Sequence, residues 1–218
     1  ATLGDDVVVS WLSWDTGEWQ VKVRVFDAEG KAVSGEVVGT AIDHEEDWHP
    51  YVATAGDDRI FVVWRGISSL GDIGIVGQYF GWDGELLEAV GEPFDVKLKP
   101  TVDTMFPRLT TLSSGDFLVA WGAAVSGDAY VESFGQLVTY PNGPTGEEFL
   151  LNSNGDGDGG GAQGYPDVAA APGGFIAVYE DDSLHINGET GLAARLFDLA
   201  GTPDGAAKPL VISGPAVS

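Results

Sequence analysis

Cysteine is absent from the 218 residues. Disulfides, thiolate metal sites and cysteine nucleophiles are therefore excluded together, and the redox compartment is left open. Bases are scarce, with 10 Lys and Arg against 34 Asp and Glu for a formal charge of −24. A chain this acidic repels phosphate backbones and anionic headgroups, so neither nucleic acid nor an acidic membrane is expected as a partner. Long apolar runs are missing too: Ile60-Phe61-Val62-Val63-Trp64 falls far short of the roughly 18 residues that read as a membrane span, and no membrane insertion is expected. No N-terminal stretch has signal-peptide character, and a start at Ala1 suits a processed, extracellular or cell-surface protein. What is present is 44% hydrophobic residues, seven tryptophans and 32 glycines, enough apolar material for a core between many turns.

That material repeats. Gly4-Asp5-Asp6 to Trp11, Gly56-Asp57-Asp58 to Trp64, Gly115-Asp116 to Trp121 and Gly173-Gly174 to Tyr179 are each a turn followed by an apolar run ending in an aromatic. The aromatics are 53, 57 and 58 residues apart. A second landmark follows each: Arg24-Val25-Phe26 before Gly30, Gln78-Tyr79-Phe80 before Gly84, Gln136-Leu137-Val138 before Gly143 and Arg195-Leu196-Phe197 before Gly201. Its period is the same, so one unit recurs four times.

Each unit reads as four short strands with turn chemistry between them. In the second they are Tyr51 to Ala55, Arg59 to Trp64, Ile73 to Phe80 and Glu92 to Val96. The second strands are apolar at nearly every residue, which requires burial on both faces. Four-stranded sheets stacked around an axis supply that, and the period falls in the range of propeller blades. The expected fold is all-β, a four-bladed β-propeller of four-stranded antiparallel blades spanning residues 1–48, 49–105, 106–164 and 165–214, with 215–218 as a closing strand. Prolines open the first strands of units two to four at Pro50, Pro107 and Pro166. Joining Gly214-Pro215-Ala216-Val217-Ser218 to Ala1-Thr2-Leu3 restores the same spacing for unit one. The C-terminal segment then completes the first strand of blade 1, either within one molecule or between copies, or else the chain is one period of a longer array.

The pattern of Pro-x-Val, a Gly-Asp turn, an apolar run to Trp, Gln/Arg-x-Phe and a turn glycine resembles repeats of secreted bacterial and archaeal β-propellers that accompany large calcium-dependent surface and haemolysin-type proteins. The best matches are Pro107 to Trp121 and Gly135 to Asn152. The resemblance implies architecture and carries over no catalytic residue.

Antiparallel strand order places the blade links and the loops between second and third strands at one end. Loops held on a rigid scaffold favour binding groups; here they are expected at Leu12 to Gln20, Gly66 to Asp72, Gly122 to Tyr130 and Asp181 to Gly191. Asn152, Asn154, Asp156 and Asp158, alternating with small residues, suit a hard calcium ion, which takes six to eight oxygens. The same string also reads as a Gly/Asp linker, because the bidentate glutamate of the signature is missing. Asp43, Glu45, Glu46 and Asp47 form a second oxygen-rich link, read either as solvated or as a weak cation site. Trp14, Trp19 and Trp48 fall outside the repeated core positions, and with Asp15, Glu18 and His49 they suit stacking on sugar rings and hydrogen bonding to hydroxyls. Ser13 to Trp19 approximates the Asp-box turn of sialidase-like propellers, but the few arginines lie mostly within or beside strands. The sequence thus leads to a non-enzymatic extracellular structural or adhesive module that binds calcium and self-assembles through its termini, its partners being other copies or surface proteins. A carbohydrate-binding lectin is the alternative.

Overall fold

The computed structural model describes residues 1–15, 17–42, 49–69, 71, 73–99, 103–124, 131–152, 162–186 and 189–211. Among these residues sixteen strands form four antiparallel sheets of four, with the strands of each sheet in consecutive order along the chain. The first sheet holds β1 (Thr2–Leu3), β2 (Asp6–Asp15), β3 (Glu18–Phe26) and β4 (Val37–Ile42). The second holds β5 (Tyr51–Ala55), β6 (Arg59–Ile67), β7 (Ile73–Trp82) and β8 (Leu87–Asp95). The third is β9 (Asp103–Thr111), β10 (Phe117–Ala124), β11 (Val131–Thr139) and β12 (Gly143–Leu150). The fourth is β13 (Asp167–Ala171), β14 (Gly174–Ile186), β15 (Glu189–Asp198) and β16 (Lys208–Val211). Among the described residues no helix is long and apolar enough to cross a membrane.

Each second strand sends alternate side chains to the sheet before it and the sheet after it. Ile60, Val62 and Trp64 pack back on Val8, Val21, Val23 and Val25 of the first sheet. Phe61 and Val63 pack forward on Phe117, Val119 and Trp121 of the third. Leu118 and Ala120 continue forward onto Phe175 and Ala177 of the fourth. This is why the runs do not alternate in polarity: both faces are core. The landmark aromatic always faces the preceding sheet. By that rule Val7, Val9 and Trp11 face backward from the first sheet, and Val7 and Val9 are 38% and 40% exposed where their counterparts Ile60 and Val62 are at 1% and 0%. Across the repeat, Leu196 on the forward face of the fourth sheet is 44% exposed where its counterpart Tyr79 is at 3%. Among the described residues, hydrophobic clusters fill the three seams between consecutive sheets, and these two outer faces belong to none of them.

The Gln/Arg landmark has a shared task. Arg24 Nε donates to the Ser34 carbonyl at 3.1 Å, Gln78 Nε2 to Gly91 at 3.3 Å, Gln136 Nε2 to Thr145 at 3.0 Å and Arg195 Nε to Gly205 at 3.1 Å. A long side chain, buried for the two glutamines and half-buried for the two arginines, thus satisfies a carbonyl at or near the irregular edge strand of its own blade. In the second blade that irregularity moves a boundary. The last strand starts at Leu87 and not at Glu92, because Gly91 takes φ of 72° and a bulge absorbs Gly91-Glu92-Pro93 while pairing continues on both sides. The third sheet likewise opens at Asp103. Gly214 to Ser218 and the proposed completion of the first strand lie outside the described residues.

Candidate functional site

The first strands β1, β5, β9 and β13 pack on one another in succession and line the middle of the fold. At their C-terminal ends threonines stitch them: Thr111 Oγ1 donates to the Thr54 carbonyl at 2.7 Å, and the Thr54 hydroxyl donates to the Thr2 carbonyl. The residues that follow the prolines are Tyr51 and Asp167, which begin β5 and β13, and Arg108, which lies within β9 because that strand extends back to Asp103 past Pro107. They occupy one register position, opposite Val63, Ala120 and Val178, and Arg108 bridges the other two. Arg108 Nη1 donates to the Tyr51 hydroxyl, the guanidinium lies 4.7 Å from the centre of the Tyr51 ring, and Arg108 Nε is 3.9 Å from Asp167 Oδ1. Three blades thereby contribute an aromatic hydroxyl, a cation and an anion to one mouth.

In the second and fourth blades the residue after the landmark aromatic, Arg65 and Glu180 respectively, is polar and extends this mouth. Glu180 lies two residues beyond Val178, the partner of Asp167, on the same face of β14, which makes Asp167 and Glu180 a diagonal cross-strand pair, a relation that in a regular ladder sets Cβ atoms a little under about 7–8 Å apart. Both are exposed. Arg65 has the matching relation to Tyr51 in the second blade. The end of the fold carrying these groups is also the end of the blade links and of the β2–β3, β6–β7 and β14–β15 connections.

The residues expected to form sites lie elsewhere. Leu12 to Gln20 is not an open loop: Trp14 pairs with Trp19 and Asp15 with Glu18, so the strands run to a tight turn in which Gly17 has φ of 90°. The expected loop Asp181 to Gly191 is strand up to Ile186 and again from Glu189. Trp14 is 54% exposed, and its ring meets that of half-buried Trp19 edge-on, centroids 5.2 Å apart. Glu18 and His49 are exposed. Trp48, Asp43, Glu45, Glu46, Asp47, Asn154, Asp156 and Asp158 lie outside the described residues. Asn152 is buried and makes a polar staple: Oδ1 accepts from the Ser133 amide at 3.2 Å, and Nδ2 donates to Glu132 and to Gln163 Oε1 at 2.7 Å. Among the described residues no group of three or more acids and histidines is placed to hold a metal ion.

The sequence reading passed over Tyr51, Arg65, Arg108, Asp167 and Glu180. Their signal was variation within the repeat. Core positions stay apolar in every copy, whereas the position after the proline runs Tyr, Arg, Asp and the one after the aromatic runs Leu12, Arg65, Gly122, Glu180.

No family model and no curated protein matches the sequence. Solved structures do match the fold. An α-L-arabinofuranosidase from Fusarium graminearum, solved with an iminosugar inhibitor, superposes with a TM-score of 0.61 at 14% identity over 97% of this chain and 65% of that one. A protein of unknown function from Dyadobacter fermentans gives 0.58 at 13%, covering 98% and 63%. An α-L-arabinofuranosidase from Lactobacillus brevis gives 0.51 at 14%, covering 94% and 78%. The likeness is one of fold. This chain is a β-propeller, and it spans just under two thirds of the length of two of these neighbours.

The propeller resemblance seen in the repeats therefore holds, while these neighbours do not extend it to haemolysin-type proteins. The expectation of a non-enzymatic structural or adhesive module, with a lectin as its alternative, is corrected: the propellers this chain superposes on include glycosidases. The error has a physical origin. Arginines within strands were set aside as framework, yet the first strand of a blade is where a side chain reaches the middle of the fold.

Proposed function

We propose that the chain is a glycosidase-like propeller that cleaves a glycosidic bond at the mouth built by Tyr51, Arg65, Arg108, Asp167 and Glu180. The observation that carries this reading is the Asp167–Glu180 diagonal pair beside Arg108. Glycoside hydrolysis uses two carboxyl groups, and a separation of about 6.5–9.5 Å leaves room for a water between one of them and the sugar. A diagonal pair, with Cβ atoms a little under about 7–8 Å apart, can splay its carboxyl groups into that range. In this reading Asp167, its direction fixed by Arg108, takes a proton from the attacking water, and Glu180 protonates the leaving oxygen. Tyr51 and Arg65 line the wall opposite and offer hydrogen bonds to sugar hydroxyls. Arabinose-containing glycans are the substrate class to try first, because the neighbours include arabinofuranosidases and an α-L-arabinanase from Cellvibrio cellulosa with a TM-score of 0.52. Reducing-sugar release from linear arabinan and nitrophenol release from an arabinofuranoside test it. Asp167→Asn and Glu180→Gln should each lower the rate about 10²–10⁴-fold while the fold is kept. Variants as active as the parent would refute the assignment.

A further inference from the structure

Trp14 has no counterpart in the other blades, where the matching positions are Ile67, Ala124 and Asp182. The repeat therefore does not demand a tryptophan there. Its ring is 54% exposed, so it adds little to the seam between the first two sheets, whose deeper part is closed by Leu12 and Trp19. It is nonetheless held firmly. The β2–β3 ladder is in register to its tip, from Val7 opposite Phe26 to Asp15 opposite Glu18, and the Trp19 ring supports Trp14 at 61°. A large, rigid, exposed aromatic on a paired hairpin loses little freedom when a flat apolar ligand face settles on it. The Ser13–Gln20 and Asp15–Glu18 pairs occupy the other face of the ladder, so the platform is the tryptophan pair itself. The hairpin rises at the same end of the fold as Asp167 and Glu180.

We propose that Trp14, backed by Trp19, is a separate glycan-holding platform on which a sugar ring of the polymer stacks outside the cleavage mouth. The identity of the polymer rests on the glycosidase reading; the platform itself does not need cleavage. A glycan long enough to touch both places gains from being held twice, so the platform favours polymers over short substrates. The test is affinity gel electrophoresis in linear arabinan, run on the intact chain, Trp14→Ala and Trp14→Tyr, each also in the Asp167→Asn background, with circular dichroism to confirm folding. Trp14→Ala should weaken retention roughly two- to tenfold, Trp14→Tyr should restore most of it, and nitrophenyl arabinofuranoside hydrolysis should not change. Equal retention of folded Trp14→Ala and parent overturns the platform, as does a parent that arabinan does not retain at all. A parent that is retained through Trp14 but releases no sugar supports the platform and refutes only the cleavage reading.

Discussion

Truncating the landmark aromatic separates sealed seams from the outer face of the first sheet. Trp64 and Trp121 are 1% and 0% exposed, packed between sheets, and each removes a large apolar surface from water. Cutting either to alanine forfeits that burial and leaves a cavity, a cost of about 3–5 kcal/mol. Trp11 occupies the same repeat position, but it lies on the backward face of the first sheet, where it lines an open apolar hollow of about 500 Å³ with Val7, Val9 and Phe26. Half-buried, it has less transfer energy to lose and little cavity to leave, so Trp11→Ala should cost about 1–2 kcal/mol. Urea titrations followed by far-ultraviolet circular dichroism measure the three variants on one scale, with slopes checked for constancy. A Trp11→Ala loss equal to that of Trp121→Ala would show that the first sheet's outer face is sealed, and the account of three filled seams would fall.

Other outcomes follow from single residues. Gln136→Glu puts a charge without a partner at a fully buried site and should cost about 3 kcal/mol or more at pH 7, much of it recovered below about pH 4 as the carboxyl is protonated; a neutral effect in denaturant titrations would contradict the assigned role of the landmark glutamine. Burial pushes the Tyr79 hydroxyl, which donates to the Thr139 carbonyl at 3.1 Å, up to about 12. The unfolded chain sheds that proton near pH 10 while the folded chain keeps it, so stability should fall between pH 10 and 12, and Tyr79→Phe should flatten that fall in pH-dependent melts. Calcium remains a proposal for the acidic links, with a melting temperature that rises more with calcium than with sodium at equal ionic strength; equal effects of the two salts would leave only screening.

The fold was legible because its determinants are local and repeated. Apolar runs without alternation at Ile60 to Trp64 and Phe117 to Trp121 announce sheets buried on both faces, and the turn glycines mark their ends. The mouth was not, because it is assembled from residues some 57 to 59 positions apart, Tyr51, Arg108 and Asp167, which only the stacking of first strands brings together. Acidic runs such as Glu45-Glu46-Asp47 stood out by density, but density in a chain with 34 acids carries little information about convergence. The cross-strand relation of Asp167 to Glu180 also depends on the register of β13 with β14, which a hairpin sets by its turn. Trp14 and Trp19 were recognised as non-core aromatics, yet their pairing across a ladder became visible only when the expected loop proved to be strand.

The central claim is that this propeller cleaves a glycosidic bond between Asp167 and Glu180. Proton NMR of linear arabinan during the first minutes with the chain tests it directly, because it shows both whether sugar is released and which anomer appears first. The account predicts sugar release with a single anomer appearing first, lost in the Asp167→Asn/Glu180→Gln double variant. No released sugar, or the same product at the same rate from the double variant, would contradict it.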